Sequence, residues 1–389
     1  MSDVVGIEKI TDKAGTGAPD FTNGFNIAGS DSGISPHKHT EGATEPSSPS
    51  NGDAWLDTDN NIYKVYIDGE WKDWLGETVT ASYFYGDRLV RVGFSIAKND
   101  IHRLDITTLG NAVDFKDLNR TSANRAAACS NGVNAYIFNG NGSANGQGAE
   151  QNSISYFSTS NSTNASDFGD STSSTSGGMA CSDATTGCNA LGWTGSAALN
   201  TIDKITMATP GNATDFGDLT VNRASFGNSA GSNGTRGVFA LGYNGNSTNT
   251  IDYITIATPG NATDFGDFND ATYHSAGYGS AAGGTGTGDR LIFATYYGGS
   301  KITYVTVSTT GNASAFGDTT ITNNSHNFYC GAAANATRCI IQSGGYVGGG
   351  ASNTIEYVTM ATLGNASDFG DQATNEEQSH QVCTSGAPS

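Results

Sequence analysis

Short apolar runs separated by glycine and asparagine recur along most of the chain, and they predict β-strands. The run IDYITIAT at 251–258 is rich in Ile, Thr and Tyr, which favour a pleated, half-buried surface. Successive strand residues point to opposite faces, so Ile251 and Tyr253 fall on one face while Ile254 and Ile256 fall on the other. Because both faces are apolar, we expect each such strand to be covered on both sides.

The apolar pattern repeats six times around one motif, which reads NATDFGD at 212–218 and again at 261–267. Each unit adds an Ile-marked strand before the motif, then a strand of small residues and a strand ending in Gly. The motif phenylalanines, 48 to 53 residues apart, are Phe115, Phe168, Phe216, Phe265, Phe316 and Phe369. Four short strands in about 50 residues predict one blade of a β-propeller.

The two ends of the array predict how it closes. RLVRVGF (88–94) has no small-residue strand before it, and SHQVCTSGA (379–387) is such a strand without its partners. Their pairing would complete the first unit and leave no exposed sheet edge at the seam. We therefore predict an all-β fold in which residues 81–389 form a six-bladed β-propeller closed by its N- and C-terminal strands.

Two further segments precede this array. Residues 35–80 alternate apolar and polar positions in AWLD, NIYKVYI and EWKDWL, with Asp68-Gly69 as a hairpin turn. They predict a small β meander. Residues 1–34 are polar and Gly-rich, which indicates an extended tether that becomes ordered on a partner.

The motif itself is interpreted residue by residue. Asn and the Gly before it form a turn, Phe plugs the core, and the Asp two residues after Phe gives a solvated charge at the rim. The alternative is a ring of these six carboxylates that binds Ca²⁺.

The six cysteines are also placed by the repeat. Cys129, Cys181, Cys330 and Cys383 occupy nearly one repeat position in different units, which predicts small buried residues rather than a disulfide framework. The alternative is a disulfide within a hairpin, joining Cys181 to Cys188 or Cys330 to Cys339.

Composition excludes several classes of partner. The chain has 389 residues, a net charge of -19 and only 14% charged residues. Phosphate-backbone binding needs clustered Lys and Arg, so we expect no nucleic-acid partner. The first thirteen residues lack an apolar signal-peptide core, and no run is long enough to span a bilayer. We expect cytoplasmic synthesis and no membrane insertion.

The unit resembles a kelch-type propeller blade. Its small-residue strand opens with Arg, as at Arg223, and its second strand ends in Gly-Gly, as at Gly298-Gly299. It departs from the kelch pattern because Phe replaces Trp and because 12 residues separate Tyr253 from Phe265, a longer spacing. The resemblance implies the propeller architecture and nothing about partners.

A second resemblance concerns function. The GNATDFGD repeat is similar to repeats in virion proteins of tailed bacteriophages, particularly phages of cyanobacteria, and residues 46–74 resemble a module of phage tail and fibre proteins. This implies a structural virion protein, made in the host cytoplasm, that is homo-oligomeric on the particle and docks on other virion proteins through residues 1–80. The expected role is a tail fibre or appendage whose propeller head serves assembly and host-surface attachment. A capsid decoration or knob protein, and a cellular kelch-like interaction protein or lectin, are the alternatives.

Two sets of residues are candidate binding sites. The resemblance to phage fibres implies that His37 and His39 from each of three subunits surround one metal ion; a polar loop pair is the alternative. Tyr243, Tyr296, Tyr297 and Tyr346 lie in variable loops, where their rings could stack on host surface glycans or pack at blade edges.

No catalytic constellation is apparent. An active site should break the repeat, yet the departures at His102, Tyr273, His274, His326 and His380 form no nucleophile–base pair at a recognisable spacing. We predict a protein that is not an enzyme and that needs no cofactor.

Overall fold

The computed structural model describes residues 39–42, 44–57, 62–67, 69–73, 86–92, 99–120, 123–142, 149–225, 229–268, 281–283, 289–295, 300–320, 331–342, 352–376 and 382–386. Every regular element within these ranges is a β-strand, which confirms the predicted all-β class. None of these described stretches is a helix that could cross a membrane. Internal contacts divide the chain into two units, Met1–Thr80 and Ala81–Ser389.

The described residues of the first unit form one four-stranded sheet in the order β1-β2-β3-β4. Its strands are β1 (His39–Gly42), β2 (Ala54–Asp57), β3 (Ile62–Ile67) and β4 (Glu70–Asp73). The meander β2–β4 is antiparallel, while β1 pairs with β2 in parallel and was not predicted. Trp55 is buried, packs edge-on against Trp71 at 5.6 Å and donates its indole N–H to the carbonyl of Gly42.

The second unit contains six four-stranded antiparallel sheets, each holding one motif copy. Sheet 1 contains β28 (Val382–Gly386), β5 (Arg88–Val92), β6 (Asp100–Asp105) and β7 (Val113–Asp117). Sheet 2 contains β8 (Ala127–Ser130), β9 (Asn134–Asn141), β10 (Glu150–Ser158) and β11 (Ser166–Thr175). Sheet 3 contains β12 (Met179–Ser182), β13 (Thr186–Ala190), β14 (Thr201–Thr206) and β15 (Thr214–Asp218).

The remaining strands repeat this order. Sheet 4 contains β16 (Ala230–Ser232), β17 (Arg236–Tyr243), β18 (Ser247–Thr255) and β19 (Thr263–Asp267). Sheet 5 contains β20 (Ala281–Gly283), β21 (Arg290–Thr295), β22 (Lys301–Thr306) and β23 (Ser314–Asp318). Sheet 6 contains β24 (Gly331–Ala334), β25 (Arg338–Gln342), β26 (Ser352–Thr359) and β27 (Ser367–Glu376).

The first strands of the six sheets contact one another in succession. Strand β8 contacts β12, which contacts β16, and the series continues through β20 and β24 to β28. The last strand, β28, also contacts β8 of sheet 2, and it pairs antiparallel with β5, Val382 opposite Val92 and Gly386 opposite Arg88. The predicted pairing between the two ends of the array is therefore present.

Each sheet is covered on both faces, as the sequence predicts. Ile251 packs in a cluster with Phe293 of sheet 5, and Tyr253 lies against that cluster. Ile254 and Ile256 pack on the other side, in a cluster with residues of sheet 3. The hydrophobic core is therefore divided into slabs, one between each sheet and the next.

The motif phenylalanine lies in these slabs because it is the extra residue of a β-bulge. In sheet 3, Ile202 is opposite Gly217 and Asp203 is opposite Asp215, so Phe216 has no residue facing it. Equivalent register shifts occur in the other five sheets. Five of the six rings are almost fully buried, and Phe115 is partly buried. The predicted core plug is confirmed, and the bulge is what turns it towards the neighbouring sheet.

A second aromatic side chain supports the plug in four copies. In sheet 4, Tyr253 meets Phe265 edge-on, with ring centroids 5.9 Å apart, and the Arg236 guanidinium lies 4.7 Å above the Tyr253 ring. Arg236 then donates to the carbonyl of Ser308 in the next sheet. The edge-on Tyr–Phe pairs of the other three copies are Tyr156–Phe168, Tyr304–Phe316 and Tyr357–Phe369.

The motif also joins each sheet to the next through an inter-copy contact. The backbone N–H of the motif Asp donates to the side-chain oxygen of the next copy's Asn, and the N–H of the Ala after that Asn donates back to the Asp carbonyl. The Asp-to-Asn bonds are 3.0–3.2 Å long and join Asp117 to Asn164, Asp170 to Asn212, Asp218 to Asn261, Asp267 to Asn312, Asp318 to Asn365 and Asp371 to Asn111. The last of these bonds connects copy 6 to copy 1.

Glycine makes this close approach possible. A Cβ added at the motif Gly of copies 2 to 6 would lie under 3.0 Å from the backbone of a Gly in the next copy's turn. The pairs are Gly169 with Gly211, Gly217 with Gly260, Gly266 with Gly311, Gly317 with Gly364 and Gly370 with Gly110. The motif Gly, which lies within the last strand of its sheet, is therefore required by an inter-sheet contact.

Copies 1 and 2 depart from this rule together. Copy 1 has Lys116 at the motif Gly position, and copy 2 has Thr163 at the turn Gly position. The Lys116 ammonium donates to the carbonyls of Ser158 and Asn161 in that turn. Burial, together with the charges of Arg88 and Arg103, lowers the pKa of Lys116 to about 8. A long side chain here replaces the direct approach of two backbones.

A matched pair of substitutions tests the inter-copy contact. We expect Gly169→Ala to lower the free energy of unfolding by roughly 1–3 kcal/mol or more, because its Cβ overlaps the Gly211 backbone and its φ is +149°. Gly211→Ala, on the other side of the same contact, meets nothing within 4 Å and should change stability by less than about 0.5 kcal/mol. Equal effects in urea denaturation would contradict the assignment.

Candidate functional site

Most of the predicted site residues lie outside the described part of the chain. This applies to His37, Tyr296, Tyr297 and Tyr346, and to the side chain of His39, whose backbone begins β1. The metal and three of the tyrosine predictions therefore stay predictions. Among the described residues no group of three or more His, Cys, Asp or Glu side chains is arranged to hold a metal ion.

Tyr243 is described, and it ends β17 at a tight hairpin. Its backbone pairs with Ser247 and exchanges two hydrogen bonds with Ala224, of 2.9 and 3.0 Å. The turn residues Asn244, Gly245 and Asn246 are exposed, while the Tyr243 side chain is half-buried. The ring therefore lies at the end of its sheet beside a polar turn, as a glycan-stacking or an edge-packing residue would.

Trp193 occupies the equivalent place in sheet 3 and was missed by the sequence interpretation. Its backbone exchanges two hydrogen bonds with Ser176, of 2.7 and 2.9 Å, as Tyr243 does with Ala224. Its side chain is also half-buried. The available signal was that it is the only tryptophan after residue 74. Two neighbouring sheets thus end in a partly exposed aromatic ring, and such rings combine an apolar face with a polar tip.

In three sheets, a buried carboxylate directly after the Ile of the third strand forms hydrogen bonds to the preceding sheet. The carboxylate of Asp203 accepts 2.7 Å hydrogen bonds from both the N–H and the hydroxyl of Thr172, which follows the motif of sheet 2. The Asp252 carboxylate accepts the same two hydrogen bonds from the N–H and the hydroxyl of Thr220 in sheet 3. The Glu356 carboxylate accepts them from Thr320 in sheet 5. These side chains are structural fasteners between repeats.

The three carboxylates differ in their counter-charge. Asp252 forms a fully buried ion pair with Arg223 at 2.8 Å, and Arg223 also donates to the carbonyl of Phe239. Burial lowers the pKa of Arg223, and the negative charge of Asp252 opposes that shift. No arginine or lysine forms a described bond to Asp203 or Glu356, and burial raises the pKa of both carboxyl groups.

The described thiols lie in the core. Cys129, Cys181 and Cys188 are free and buried, and Cys339 is buried, which confirms the predicted small buried positions of Cys129 and Cys181. Cys181 is directly opposite Cys188 without a disulfide. Burial raises the pKa of Cys129 to about 12, so this thiol is a poor nucleophile.

The motif carboxylates lie at the rim of the sheets. Their backbone groups make the inter-copy contacts, and Asp318 also forms an exposed ion pair with Lys301 at 2.8 Å. Beside the turn of sheet 5 is a shallow depression of about 260 Å³, lined by Tyr304, Val305, Thr306, Thr309, Gly311, Asn312 and Ser314. That lining contains no carboxylate, imidazole or thiol, so it does not supply a general base.

Comparison with known proteins found no protein-family model that matches the chain and no curated protein with a significant match. The functional argument therefore depends on the geometry and on the motifs themselves.

Glu356 allows a test of the buried carboxylates through pH. Burial and the charge of Asp368 raise its pKa, against the opposing effect of the Thr320 bonds. Its folded pKa thus lies above the unfolded value of about 4.3. The contribution of Glu356 to the free energy of unfolding is therefore most favourable at low pH. It is lost as pH rises through the folded pKa.

We therefore expect the difference in unfolding free energy between Glu356→Gln and the unmodified protein to shift in favour of the variant as pH rises from 4 towards neutrality. Gln keeps an acceptor oxygen for Thr320. Urea denaturation at several pH values measures the difference, and a difference that is constant or moves the other way would refute the argument.

Proposed function

We propose that residues 81–389 form a closed six-bladed β-propeller that serves as a rigid structural and binding body of a virion. One observation carries the architectural part: the same inter-copy contact occurs six times, and the sixth joins Asp371 to Asn111. A linear array of six units would have five such contacts.

Further contacts support closure. Strand β28 pairs with β5 and contacts both β24 and β8. Arg338 of sheet 6 donates to the carbonyls of Ile106 and Thr107 in sheet 1, as Arg236 of sheet 4 does to sheet 5. Pairing of β28 with β5 completes sheet 1 and leaves no incomplete sheet at the seam, which suits a protein exposed outside the cell.

The role that fits this body is structural. Its repeated residues act as core plugs, fasteners and inter-sheet contacts, and its described thiols are buried. What varies between copies lies at the sheet ends, where Trp193 and Tyr243 differ from their counterpart Asn141. Such rings on a rigid frame suit adhesion to sugars at low entropic cost.

The virion assignment rests on the sequence motifs. The NATDFGD repeats and the module at 46–74 resemble tailed-phage virion and fibre proteins, and the second of these includes the Trp55–Trp71 sheet. On this proposal residues 1–80 dock on other virion proteins, and the propeller is the head of a tail fibre or appendage that attaches to the host surface.

A disulfide across the seam tests closure. We expect Asn111→Cys with Asp371→Cys to form an intramolecular disulfide on mild oxidation, because a hydrogen bond of 3.0 Å now joins these residues. Asn261→Cys with Asp218→Cys, the same contact between sheets 3 and 4, is the matched control. Non-reducing gels and peptide mass spectrometry read the result. A disulfide in the control alone would reject the closed ring.

Locating the protein on particles tests the role. In purified virions of a phage that encodes this chain, we expect electron microscopy with an antibody to residues 81–389 to label a tail fibre or appendage. Label on the capsid lattice would instead indicate a decoration protein. Absence from the particles would reject both virion roles while leaving the seam experiment unaffected.

A further inference from the structure

In the slab between sheets 2 and 3, one layer is formed by two short polar side chains. The other five slabs have other pairs of residues at the same repeat positions. Each layer pairs the residue three positions after the motif Phe with one residue of the next sheet. That residue occupies the same position in the second strand of every sheet. In four of the other slabs these pairs are in contact: Leu118 with Ile137, Leu219 with Phe239, Phe268 with Phe293 and Gln372 with Arg91. In the fifth, Thr319 and Ile341 occupy the equivalent positions, and both are buried. Between sheets 2 and 3 the pair is Ser171 with Asn189.

Neither side chain of this pair has a hydrogen-bond partner among the described residues. Asn189 is 0% exposed, and both its Nδ2 and its Oδ1 are unpartnered; Ser171 is 5% exposed, and its hydroxyl is unpartnered too. Buried polar atoms almost always have a partner in the protein, in water or in a bound ion. Three such atoms in one layer therefore require water or a bound ion as a partner.

The arrangement resembles the slab between sheets 6 and 1, with shorter side chains. There the Arg91 guanidinium reaches Gln372 at 2.5 Å. Asn189 and Ser171 replace them, and each side chain has three fewer non-hydrogen atoms than its counterpart. The longer pair bridges its slab directly, whereas the shorter pair needs an intermediate group to do so.

A carboxylate supplies charge to the same layer. Asn189 is directly opposite Asp203 in the β13–β14 pair, so both side chains lie on the face towards sheet 2. Asp203 is 0% exposed and is fastened by Thr172. In the next slab the equivalent Asp252 is neutralised by Arg223, but the residue at the position of Arg223 is Thr175 between sheets 2 and 3. A buried carboxylate without a counter-charge is costly.

We propose that a partly hydrated alkali cation, Na⁺ or K⁺, binds between sheets 2 and 3 to oxygen atoms of Asp203, Asn189 and Ser171. One carboxylate with two neutral oxygens matches a single positive charge, whereas Ca²⁺ sites use six to eight oxygens and usually several carboxylates. A coordinated water accepts from Nδ2 of Asn189. The cation neutralises Asp203, as Arg223 neutralises Asp252 in the slab between sheets 3 and 4.

Thermal unfolding of the unmodified full-length chain tests the site. At equal ionic strength, we expect KCl or NaCl to raise the unfolding midpoint over tetramethylammonium chloride by about 2 °C at ten times the dissociation constant. The large organic cation cannot enter a buried layer. Equal midpoints in all three salts, or a response to Ca²⁺ alone, would overturn the proposal.

Variants identify the residues. Asp203→Asn should abolish the difference between salts, and so should Ser171→Leu combined with Asn189→Ile, which reproduces the Leu118–Ile137 layer. Asp318→Asn, which removes an exposed carboxylate, should keep it. A salt difference that survives in the first two variants would refute the assignment.

Crystals of the unmodified protein grown with Rb⁺ give a measurement that does not depend on variants that fold. An anomalous peak within bonding distance of Asp203, Asn189 and Ser171 supports the site. Water alone at that place would overturn it.

Discussion

The second unit depends on one repeated constraint: two backbones from neighbouring copies must come close enough to exchange hydrogen bonds. The Asp N–H and the Asn side-chain oxygen meet at 3.0–3.2 Å, and the motif Gly lies against the next turn without a Cβ between them. Two donors and two acceptors at the sheet margin are thereby satisfied. The bulged Phe, the Tyr edge and the Arg above it then fill the slab whose width this contact sets. Core packing and inter-sheet geometry therefore depend on the same motif and on the Gly that precedes it.

The sequence predicts well what depends on neighbours along the chain. Strand positions follow from β-branched and aromatic runs, and the buried Phe and both apolar faces of the third strand follow from alternation. The pairing of β28 with β5 also followed, because a unit split between the two ends can be recognised by counting. The motif Asp was interpreted as a rim charge, yet its N–H and carbonyl make the contact between copies. The type of a residue gives little information about which groups its backbone N–H and carbonyl bond to.

Other features depend on partners that the pattern does not reveal. The parallel pairing of β1 joins segments with no shared motif, and Trp193 differs from the tyrosines only in position. The unpartnered layer at Ser171 and Asn189 is evident only when the equivalent positions of all six slabs are superposed. Small polar residues are common in these strands, so their burial between two sheets is a tertiary property. The His37 and His39 prediction lies beyond what the described residues can address.

The joint departure of copies 1 and 2 has a consequence for how such an array can change during evolution. Lys116 belongs to one copy and the turn that it holds belongs to the next. Each boundary is therefore encoded half in one repeat and half in its successor. Recombination that exchanged whole repeats would separate Lys116 from Thr163 and bring a lysine against a turn shaped for glycine. Segments that run from the middle of one repeat to the middle of the next can be exchanged with both halves of a boundary intact. The segment that can be exchanged is therefore offset along the chain from the segment that forms one sheet.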